Sequence, residues 1–162
     1  MAPCPDECVV RPLAAADAPQ LAGFLPAALG GAWTAQDILE LPGKGHLVRV
    51  LVGAAASGPR VVGFAECLRV VDEAELLALA IAPVCRGRGF GQWLLAQVLA
   101  ELREAGCRRC LLEVRRSNEA AQRLYCKAGF VPEGVRKAYY PPLQTGGEPE
   151  DALLYSCLLV SS

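Results

Sequence analysis

A glycine-rich turn between a buried strand and an amphipathic helix constrains the fold of this chain more than any other feature. The run Glu75 to Ile81 is almost continuously apolar, as expected of a strand that is covered on both faces. After the turn, apolar residues recur at three- and four-residue intervals, which predicts an amphipathic helix closed by Gly106. The periodic positions are Leu94, Leu95, Val98, Leu99 and Leu102. A strand, a tight turn and a helix in this order predict a helix packed on a sheet.

The turn itself, Arg86-Gly87-Arg88-Gly89-Phe90-Gly91, has the composition of an anion site. Backbone N–H groups at a helix start have no partner within the helix, and the helix dipole adds positive potential there. The three glycines let the backbone approach an anion closely, and the two arginines can add charge-assisted contacts. A plain glycine-rich connection would show the same letters. Two other phosphate loops fit worse, because no Gly-Lys-Ser/Thr is present and Gln92 breaks the dinucleotide-binding pattern.

Hydrophobic periodicity and capping residues place the other elements. Helices are predicted to begin directly after Asp17, after Thr34 and after Ser117 or Asn118, since each of these side chains can cap a helix N-terminus. Strands are predicted at 9–13, 47–52, 61–71, 111–114, 131–140 and 151–160, with a turn at 54–59. The order is a strand, two helices, a run of strands, a helix, a strand, a helix and two strands. It predicts the α/β class, with helices flanking a mixed central β-sheet.

Length, charge and hydropathy exclude several classes of protein. A chain of 162 residues has the size of one domain, so we expect residues 1–162 to form a single domain. A net charge of −1 provides no basic face for nucleic acid, and no apolar run reaches the roughly 18 residues of a membrane span. The N-terminus lacks both a basic region and a long apolar region, so we expect no secretory signal and a cytoplasmic location.

The eight cysteines raise the question of a metal site or disulfides. Cys4 and Cys8 are four residues apart, and Cys107 and Cys110 form a C-x-x-C pair, so a zinc site is conceivable. The two pairs lie in different contexts, however, and the chain has a single histidine, His46. We therefore expect no metal, and reduced cysteines that are mostly buried.

The segments that follow the turn carry a family resemblance. The pattern Arg86-x-x-Gly89-x-Gly91 resembles the pyrophosphate loop of the GNAT superfamily of N-acetyltransferases. Further matching segments are Leu112-Glu113-Val114-Arg115, Ser117-Asn118-Glu119-Ala120-Ala121, Leu124-Tyr125, Ala128-Gly129-Phe130, Arg136-Lys137-Ala138-Tyr139-Tyr140-Pro141 and Glu150-Asp151-Ala152. Together they resemble the RimI type of this superfamily, which acetylates the N-terminal alanine of a small-subunit ribosomal protein. The likeness covers residues 73–155, and the first 70 residues fit more loosely.

The resemblance implies acetyl-CoA as cosubstrate and assigns its contacts. Backbone groups of Leu79, Ala80 and Ile81 would face the acetyl and pantetheine portion, and Asn118 would contact the pantetheine arm. The pyrophosphate would be held by Arg86, Gly87, Arg88, Gly89, Phe90 and Gly91. The same match makes a protein N-terminus the acceptor. Net charge and hydropathy, as described above, predict no direct nucleic-acid or membrane binding.

By the same resemblance Glu113 is the general base and Tyr125 the general acid. An α-amino group has a pKa of about 7.7–8.0, so at neutral pH a base must remove a proton before the amine attacks a thioester. Burial of Glu113 in its apolar strand would raise its pKa and improve it as a base. A phenol beside the sulfur can protonate the departing thiolate, and a backbone N–H near Ile81 can polarise the thioester carbonyl. Direct attack in a ternary complex needs no enzyme nucleophile.

Each of these residues also has a purely structural interpretation. Glu113 would then be a solvated strand residue, Tyr125 a core aromatic and Asn118 a helix cap, although a cap can also contact a ligand. Tyr139 and Tyr140 would be simple strand residues, whereas the resemblance of their segment implies that they wall the acceptor groove. Trp33 is a further candidate there, although tryptophan is more often a core residue.

Two other functions share part of the pattern. An N-acetyltransferase of small-molecule amines would have the same loop, with a pocket closed to a peptide chain. A non-catalytic acyl-CoA sensor would keep the loop and lose the base and the acid, so the presence of Glu113 and Tyr125 argues against it.

Overall fold

The computed structural model describes residues 7–160, which form a seven-stranded sheet flanked by helices. The predicted α/β class and the order of elements are confirmed. The strands are β1 (Val9–Pro12), β2 (His46–Ala55), β3 (Gly58–Val70), β4 (Glu73–Ile81), β5 (Arg109–Arg115), β6 (Val131–Tyr140) and β7 (Glu150–Leu158). The α-helices are α1 (Ala18–Leu29), α2 (Ala35–Leu39), α3 (Phe90–Glu104) and α4 (Glu119–Lys127), with short 3₁₀ turns at Ala15–Asp17 and Pro83–Cys85.

The two parallel strands of the sheet, β4 and β5, are paired over only part of their length and then separate. The order of the sheet is β1-β2-β3-β4-β5-β7-β6, and β4 and β5, joined through α3, form the parallel pair. Their pairing runs from Glu73 with Arg109 to Leu76 with Leu112 and then stops, although β4 continues to Ile81. The edge of β4 that faces β5 therefore carries no ladder hydrogen bonds over its last residues. Except for the Ile81 carbonyl, which accepts from the Arg86 side chain, the backbone N–H and C=O groups on that edge are free of strand partners and can bind another group.

A bulge on β4 lies at the point where the opening begins. Glu66 of β3 pairs with Ala78, whereas the next residue, Cys67, pairs with Leu76, so Leu77 is the extra residue. A bulge changes which side chains share a face, since the alternation along one strand is shifted against its partner. Leu76 lies on the face of Cys67, and Ala78 on the opposite face with Glu66.

The helices lie on both faces of the sheet. Gly63 and Phe64 are consecutive in β3 and so point to opposite faces. A Cβ at Gly63 would lie 3.2 Å from a methyl group of Leu94, which places α3 on that face. The ring of Phe64 meets Trp33, between α1 and α2, with ring centroids 6.2 Å apart. The predicted apolar stripe of α3 is confirmed, because all its members are buried: Leu94, Leu95, Val98, Leu99 and Leu102.

Two of the predicted helix caps are confirmed and one is wrong. The Thr34 hydroxyl accepts a hydrogen bond from the Asp37 N–H at 3.1 Å, and of the pair Ser117/Asn118 it is Asn118 that caps α4, by accepting from the Ala121 N–H at 3.1 Å. Asp17 precedes α1 as predicted but does not cap it. Its carboxylate instead accepts hydrogen bonds from the Arg11 guanidinium at 2.7 and 2.8 Å, because β1 brings that cation alongside.

Several strand limits differ from the predicted ones. The ladder between β2 and β3 reaches the pair Ala55 and Gly58, so the turn predicted at 54–59 shrinks to two residues. Small residues give little strand signal of their own, and here the partner strand supplies the hydrogen bonds. β4 begins at Glu73, two residues before its apolar run, and β7 spans Glu150–Leu158.

The cysteines behave largely as expected. Six of the described ones are buried: Cys8, Cys67, Cys85, Cys107, Cys110 and Cys157. Cys126 is exposed, and Cys4 lies outside the described residues. Burial raises the pKa of Cys110 to about 12, so this thiol stays protonated and unreactive at neutral pH. Within residues 7–160, no helix has the length and apolar character needed to cross a membrane.

The close approach of α3 to the sheet at Gly63 gives a stability prediction. A Cβ there would lie 2.7 Å from Ile81 Cδ1 and 3.2 Å from the Ala80 carbonyl oxygen. Gly63→Ala should lower the free energy of unfolding by about 1–3 kcal/mol, as overpacking does, measured by chemical denaturation. Gly23→Ala is the matched control, since a Cβ on this α1 residue meets nothing within 4 Å. Equal stability of the two variants would contradict the prediction.

Candidate active site

The glycine-rich turn has the backbone geometry of an anion cradle. Gly89 is the N-cap of α3 with φ 82°, and Gly87 has φ 74°, both in the left-handed region that glycine adopts at little cost. A Cβ at either position would meet no atom within 4 Å. The conformation therefore demands glycine, and the space in front of the turn is open. The first N–H groups of α3 point into this space without helical partners.

A cavity of about 310 Å³, here called the turn cavity, lies over this turn. It is lined by Arg86, Gly87, Gly89, Phe90 and Gly91 of the turn, by Leu79, Ala80 and Ile81 of β4, and by Ala28, Cys85, Ala120, Ala121 and Leu124. The β4 segment is the edge left free by the opening of the sheet. The structure thus brings together most of the residues predicted to bind the cofactor.

The two arginines of the turn have different positions. The Arg86 Nε donates to the Ile81 carbonyl oxygen at 3.2 Å, so this side chain ties the turn back to β4. The Arg88 guanidinium lies 5.6 Å from the centroid of the Phe90 ring, and Arg88 does not line the turn cavity. The predicted contact from Arg88 therefore stays a prediction.

A second cavity of about 330 Å³, here called the glutamate pocket, adjoins the first. The two share Ala28, Leu79 and Ala121, so they lie side by side along the free edge of β4 and are together called the cleft. The polar and aromatic residues of this pocket are Trp33, Glu66, Glu113, Arg115, Asn118, Tyr125 and Tyr140. The sequence places Glu113 and Tyr125 on different elements, and the fold brings them to one pocket.

Glu113 is a half-buried carboxylate with a cationic partner. Residues of β5 alternate between buried and partly exposed, and Glu113 lies on the partly exposed face with its side chain 19% accessible. Its Oε1 is 3.0 Å from the Nε of Arg136 on β6. The sequence predicted an environment dominated by burial. The structure adds what the sequence did not predict, an ion pair that holds this largely buried carboxylate at the pocket wall.

Tyr125 and Asn118 reach the same pocket from one face of α4. They are seven residues apart, which is two helical turns, so their side chains align. Burial, with a smaller contribution from Tyr140, raises the pKa of Tyr125 to about 12, so its phenol is a proton donor at neutral pH. The Oδ1 of Asn118 is occupied as the helix cap, and its amide NH₂ remains as a pair of donors.

Of the three aromatic residues predicted to line the acceptor site, two line the glutamate pocket and one does not. Tyr140 lines the pocket, and the Arg115 guanidinium lies 4.5 Å from its ring centroid. Tyr139 packs against Tyr140 with centroids 5.1 Å apart, is half exposed and does not line the pocket. Trp33 does line it, while its indole N–H donates to the Gly30 carbonyl at 2.9 Å. Trp33 is thus both a packing residue and a pocket wall.

Three charged residues of the site were missed in the sequence. Arg115 and Arg136 lie in the motif segments, but their contacts with Tyr140 and Glu113 depend on how β5, β6 and β7 pair. Glu66 carries a clearer signal, because it is an acidic residue within the apolar run 61–71. Such a carboxylate needs a partner when the strand is buried. Within residues 7–160, no three His, Cys, Asp or Glu side chains are grouped as metal ligands.

Comparisons with known proteins were made on the sequence and on the fold. Residues 15–130 match the family model described as Acetyltransferase (GNAT) family. The chain is 43% identical over 100 residues to the [ribosomal protein bS18]-alanine N-acetyltransferase of Haemophilus influenzae, which covers 62% of this chain and 66% of that protein. That match spans slightly less than two thirds of the relative. A putative enzyme of the same description from Bacillus subtilis is 36% identical over 118 residues, 73% of this chain and 71% of that one.

Solved structures extend the likeness to nearly the whole chain. The crystal structure of the ribosomal-protein-S18-alanine N-acetyltransferase from Escherichia coli superposes with a TM-score of 0.81 at 28% identity and covers 96% of both chains. A spermidine N-acetyltransferase from Vibrio cholerae in complex with CoA and spermine has a TM-score of 0.78 at 19% identity, covering 95% of this chain and 96% of that one. The second likeness concerns the fold alone.

The buried phenol of Tyr125 gives a prediction that needs no substrate. Its pKa is raised to about 12, so it should remain protonated at pH 11, where an exposed tyrosine of pKa about 10 is largely ionised. Because the unfolded chain ionises first, the stability contributed by this group is intact below pH 10 and is lost as pH rises towards 12. The difference in alkaline ultraviolet titration between wild type and Tyr125→Phe isolates the group. A difference curve centred near pH 10 would contradict the burial.

Proposed function

The chain belongs to the acetyltransferase (GNAT) family, and we propose that it transfers the acetyl group of acetyl-CoA to the N-terminal α-amine of a protein. The acceptor we propose is the N-terminal alanine of a small-subunit ribosomal protein, as the names of its relatives suggest. The observation that supports the proposal is the pair of adjoining cavities, one over the glycine-rich turn and the other lined by Glu113 and Tyr125. Residues 1–162 would act as one catalytic domain in the cytoplasm, without direct nucleic-acid or membrane binding.

The cleft fits the shape and charge of acetyl-CoA. The positive-φ glycines of the turn leave open space beside the free N–H groups of α3, which suits a pyrophosphate. The free edge of β4 suits the amide-rich pantetheine arm and the acetyl group, and the amide of Asn118 faces the same path. When bound, acetyl-CoA supplies an acetyl thioester whose carbonyl can accept a hydrogen bond from this edge.

Glu113 would take the proton from the incoming ammonium. A protonated amine has no lone pair for attack, and a carboxylate within hydrogen-bond reach removes this obstacle. The Arg136 contact leaves the second carboxylate oxygen of Glu113 for the acceptor. The ion pair also fixes the direction of the side chain, which supports the geometry that proton transfer requires.

Tyr125 would return a proton to the sulfur of the departing thiolate. In water a phenol has a pKa about 1.5 units above that of a thiol, which corresponds to a transfer cost of roughly 2 kcal/mol. Burial raises the pKa of Tyr125 and acts in the same direction on a thiolate in the same pocket. The cost of this proton transfer is therefore small compared with the part of the barrier that Glu113 and Tyr125 would together remove. Residues of this chain would act as both the base and the acid.

The substrate class is tested with a panel of acceptors. Peptides beginning with Ala, Ser, Met or Gly and free amines such as spermidine are incubated with acetyl-CoA, and the acetylated products are identified by mass spectrometry. We expect turnover at the peptide α-amine, highest with Ala, because the cleft presents the base to a terminal ammonium. Turnover of free amines alone would reject a protein acceptor and support the small-molecule alternative.

The role of Glu113 is tested by its pH dependence. Glu113→Gln should lower kcat at pH 7 by about 10²-fold or more, the usual contribution of a general base. The defect should shrink towards pH 9, since most of an α-amine with pKa of about 8 is then already deprotonated. CoA affinity should not change.

Glu119→Gln is the matched control for that experiment. Glu119 lies at the start of α4, its side chain is 80% accessible, and it does not line either cavity. Its substitution should leave kcat unaltered at all pH values. A Glu113→Gln variant with the wild-type pH profile would remove Glu113 from the mechanism.

A further inference from the structure

Glu66 is a second carboxylate in the glutamate pocket, and acetyl transfer as derived makes no use of it. It lies in the middle of β3 and only 5% of its surface is exposed. Carboxylates are seldom buried this deeply unless a partner or a ligand compensates the charge. Its partner in the chain is His46, whose Nδ1 lies 2.8 Å from Glu66 Oε1.

The two carboxylates lie on one face of the sheet, on either side of β4. Leu68 pairs with Glu75, and Glu75 pairs with Leu111, so these three side chains share a face. Because alternate residues of a strand share a face, Glu66 and Glu113 lie on that face too. They flank β4 where β4 and β5 have begun to separate, and both line the glutamate pocket. A group lying over the bulge of β4 would have one carboxylate on each side.

The surroundings of the two carboxylates differ. Glu113 is paired with Arg136, whereas no Lys or Arg among residues 7–160 forms a salt bridge with Glu66. His46 occupies Oε1, and Oε2 accepts no hydrogen bond from any described residue. Since no described side-chain oxygen is both fully buried and unpartnered, Oε2 is not fully buried, and Glu66 is one of the residues that line the pocket. The pocket thus contains an acceptor oxygen without a cation of its own.

We propose that Glu66 is an acceptor-binding residue, which receives the α-ammonium of the incoming chain on Oε2 while His46 positions it. This assignment rests on the proposed function. An ammonium has three N–H donors, so one can bond to Glu66 while another faces Glu113. Glu113 takes the proton of the N–H that it faces, and the lone pair released on nitrogen attacks the acetyl carbonyl. The C–S bond then breaks, the thiolate takes the proton of Tyr125, and the nitrogen gives up its third proton, which restores the phenol. The N–H on Glu66 stays in place throughout.

The assignment also explains how the product leaves. Acetylation turns a cation with three donors into a neutral amide with one. Glu66 then loses its charged partner, and a charge-assisted hydrogen bond becomes an ordinary one. The site therefore selects a protonated primary amine over its acetylated product.

The kinetic test uses Glu66→Gln, which keeps the shape and the hydrogen bond to His46 but removes the charge. With an alanine-initiated peptide, KM for the peptide should rise about tenfold, the worth of one charge-assisted hydrogen bond, with kcat and KM for acetyl-CoA nearly unchanged. Glu75→Gln is the matched control, because it removes a charge from the same face without lining the pocket. A fall in kcat at constant KM would make Glu66 a base and overturn the assignment.

The binding test needs no turnover. In the presence of CoA, wild type should bind the free peptide about tenfold more tightly than the same peptide with an acetylated N-terminus, and Glu66→Gln should lose this preference. His46→Ala should weaken the preference and His46→Gln, which retains an N–H donor, should restore most of it. This pair keeps the assignment testable if Glu66→Gln is unstable.

The two levels of failure can be told apart. Absence of all peptide turnover by wild type would overturn the proposed function and this assignment with it. Wild-type turnover together with an unchanged KM and unchanged preference in Glu66→Gln would overturn the assignment of Glu66 alone.

Discussion

The short parallel pairing of β4 with β5 determines the rest of the site. Four residue pairs hold the strands together, and beyond Leu76 and Leu112 they separate. A parallel pair requires a crossover, and α3 supplies it, so its N-terminus lies beside the opening. The free strand edge and the free helix start thereby face one cleft. Had the ladder continued to Ile81, these backbone groups would be bonded to β5 and the cleft would be closed.

A series of charged and aromatic contacts lies along the other side of the cleft. Arg136 lies 5.5 Å from the Tyr139 ring, Tyr139 packs on Tyr140, and Tyr140 lies beneath Arg115. Arg115 in turn bonds Glu150, whose other oxygen accepts from the Ser117 N–H at 2.6 Å. These bonds hold the pKa of Glu150 below its usual range, first through Ser117 and then through Arg115. The segment before α4, the ends of β5 and β6 and the beginning of β7 are thus fixed together.

The sequence predicts those features that depend on neighbours along the chain. The stripe of α3, the caps Thr34 and Asn118 and the glycine turn are local, and all are found. The family resemblance adds the fold and directs attention to Glu113 and Tyr125, which the structure brings into one pocket. What it could not predict depends on register. The bulge at Leu77, the ion pair of Glu113 with Arg136 and the exposure of Glu66 to the pocket arise only when strands distant in sequence align. Asp17 shows the same limit. Its position in the sequence predicts a helix cap, but in the fold its carboxylate pairs with Arg11 of β1.

Helix α4 has a consequence for how affinity and rate are linked. None of its nine residues is fully buried, and Ala121, Leu124 and Tyr125 pack against the core while only partly buried. The cap of Asn118 holds one end, and at the other the Phe130 N–H bonds the Tyr125 carbonyl at 3.0 Å. A short helix without a fully buried residue opens more readily than one that is anchored in the core. Asn118 and Tyr125 would be displaced together in such an opening. Opening of this one helix would therefore lower the affinity for the cofactor, through Asn118, and the rate of proton transfer, through Tyr125. A change that destabilises either end of the helix should lower both.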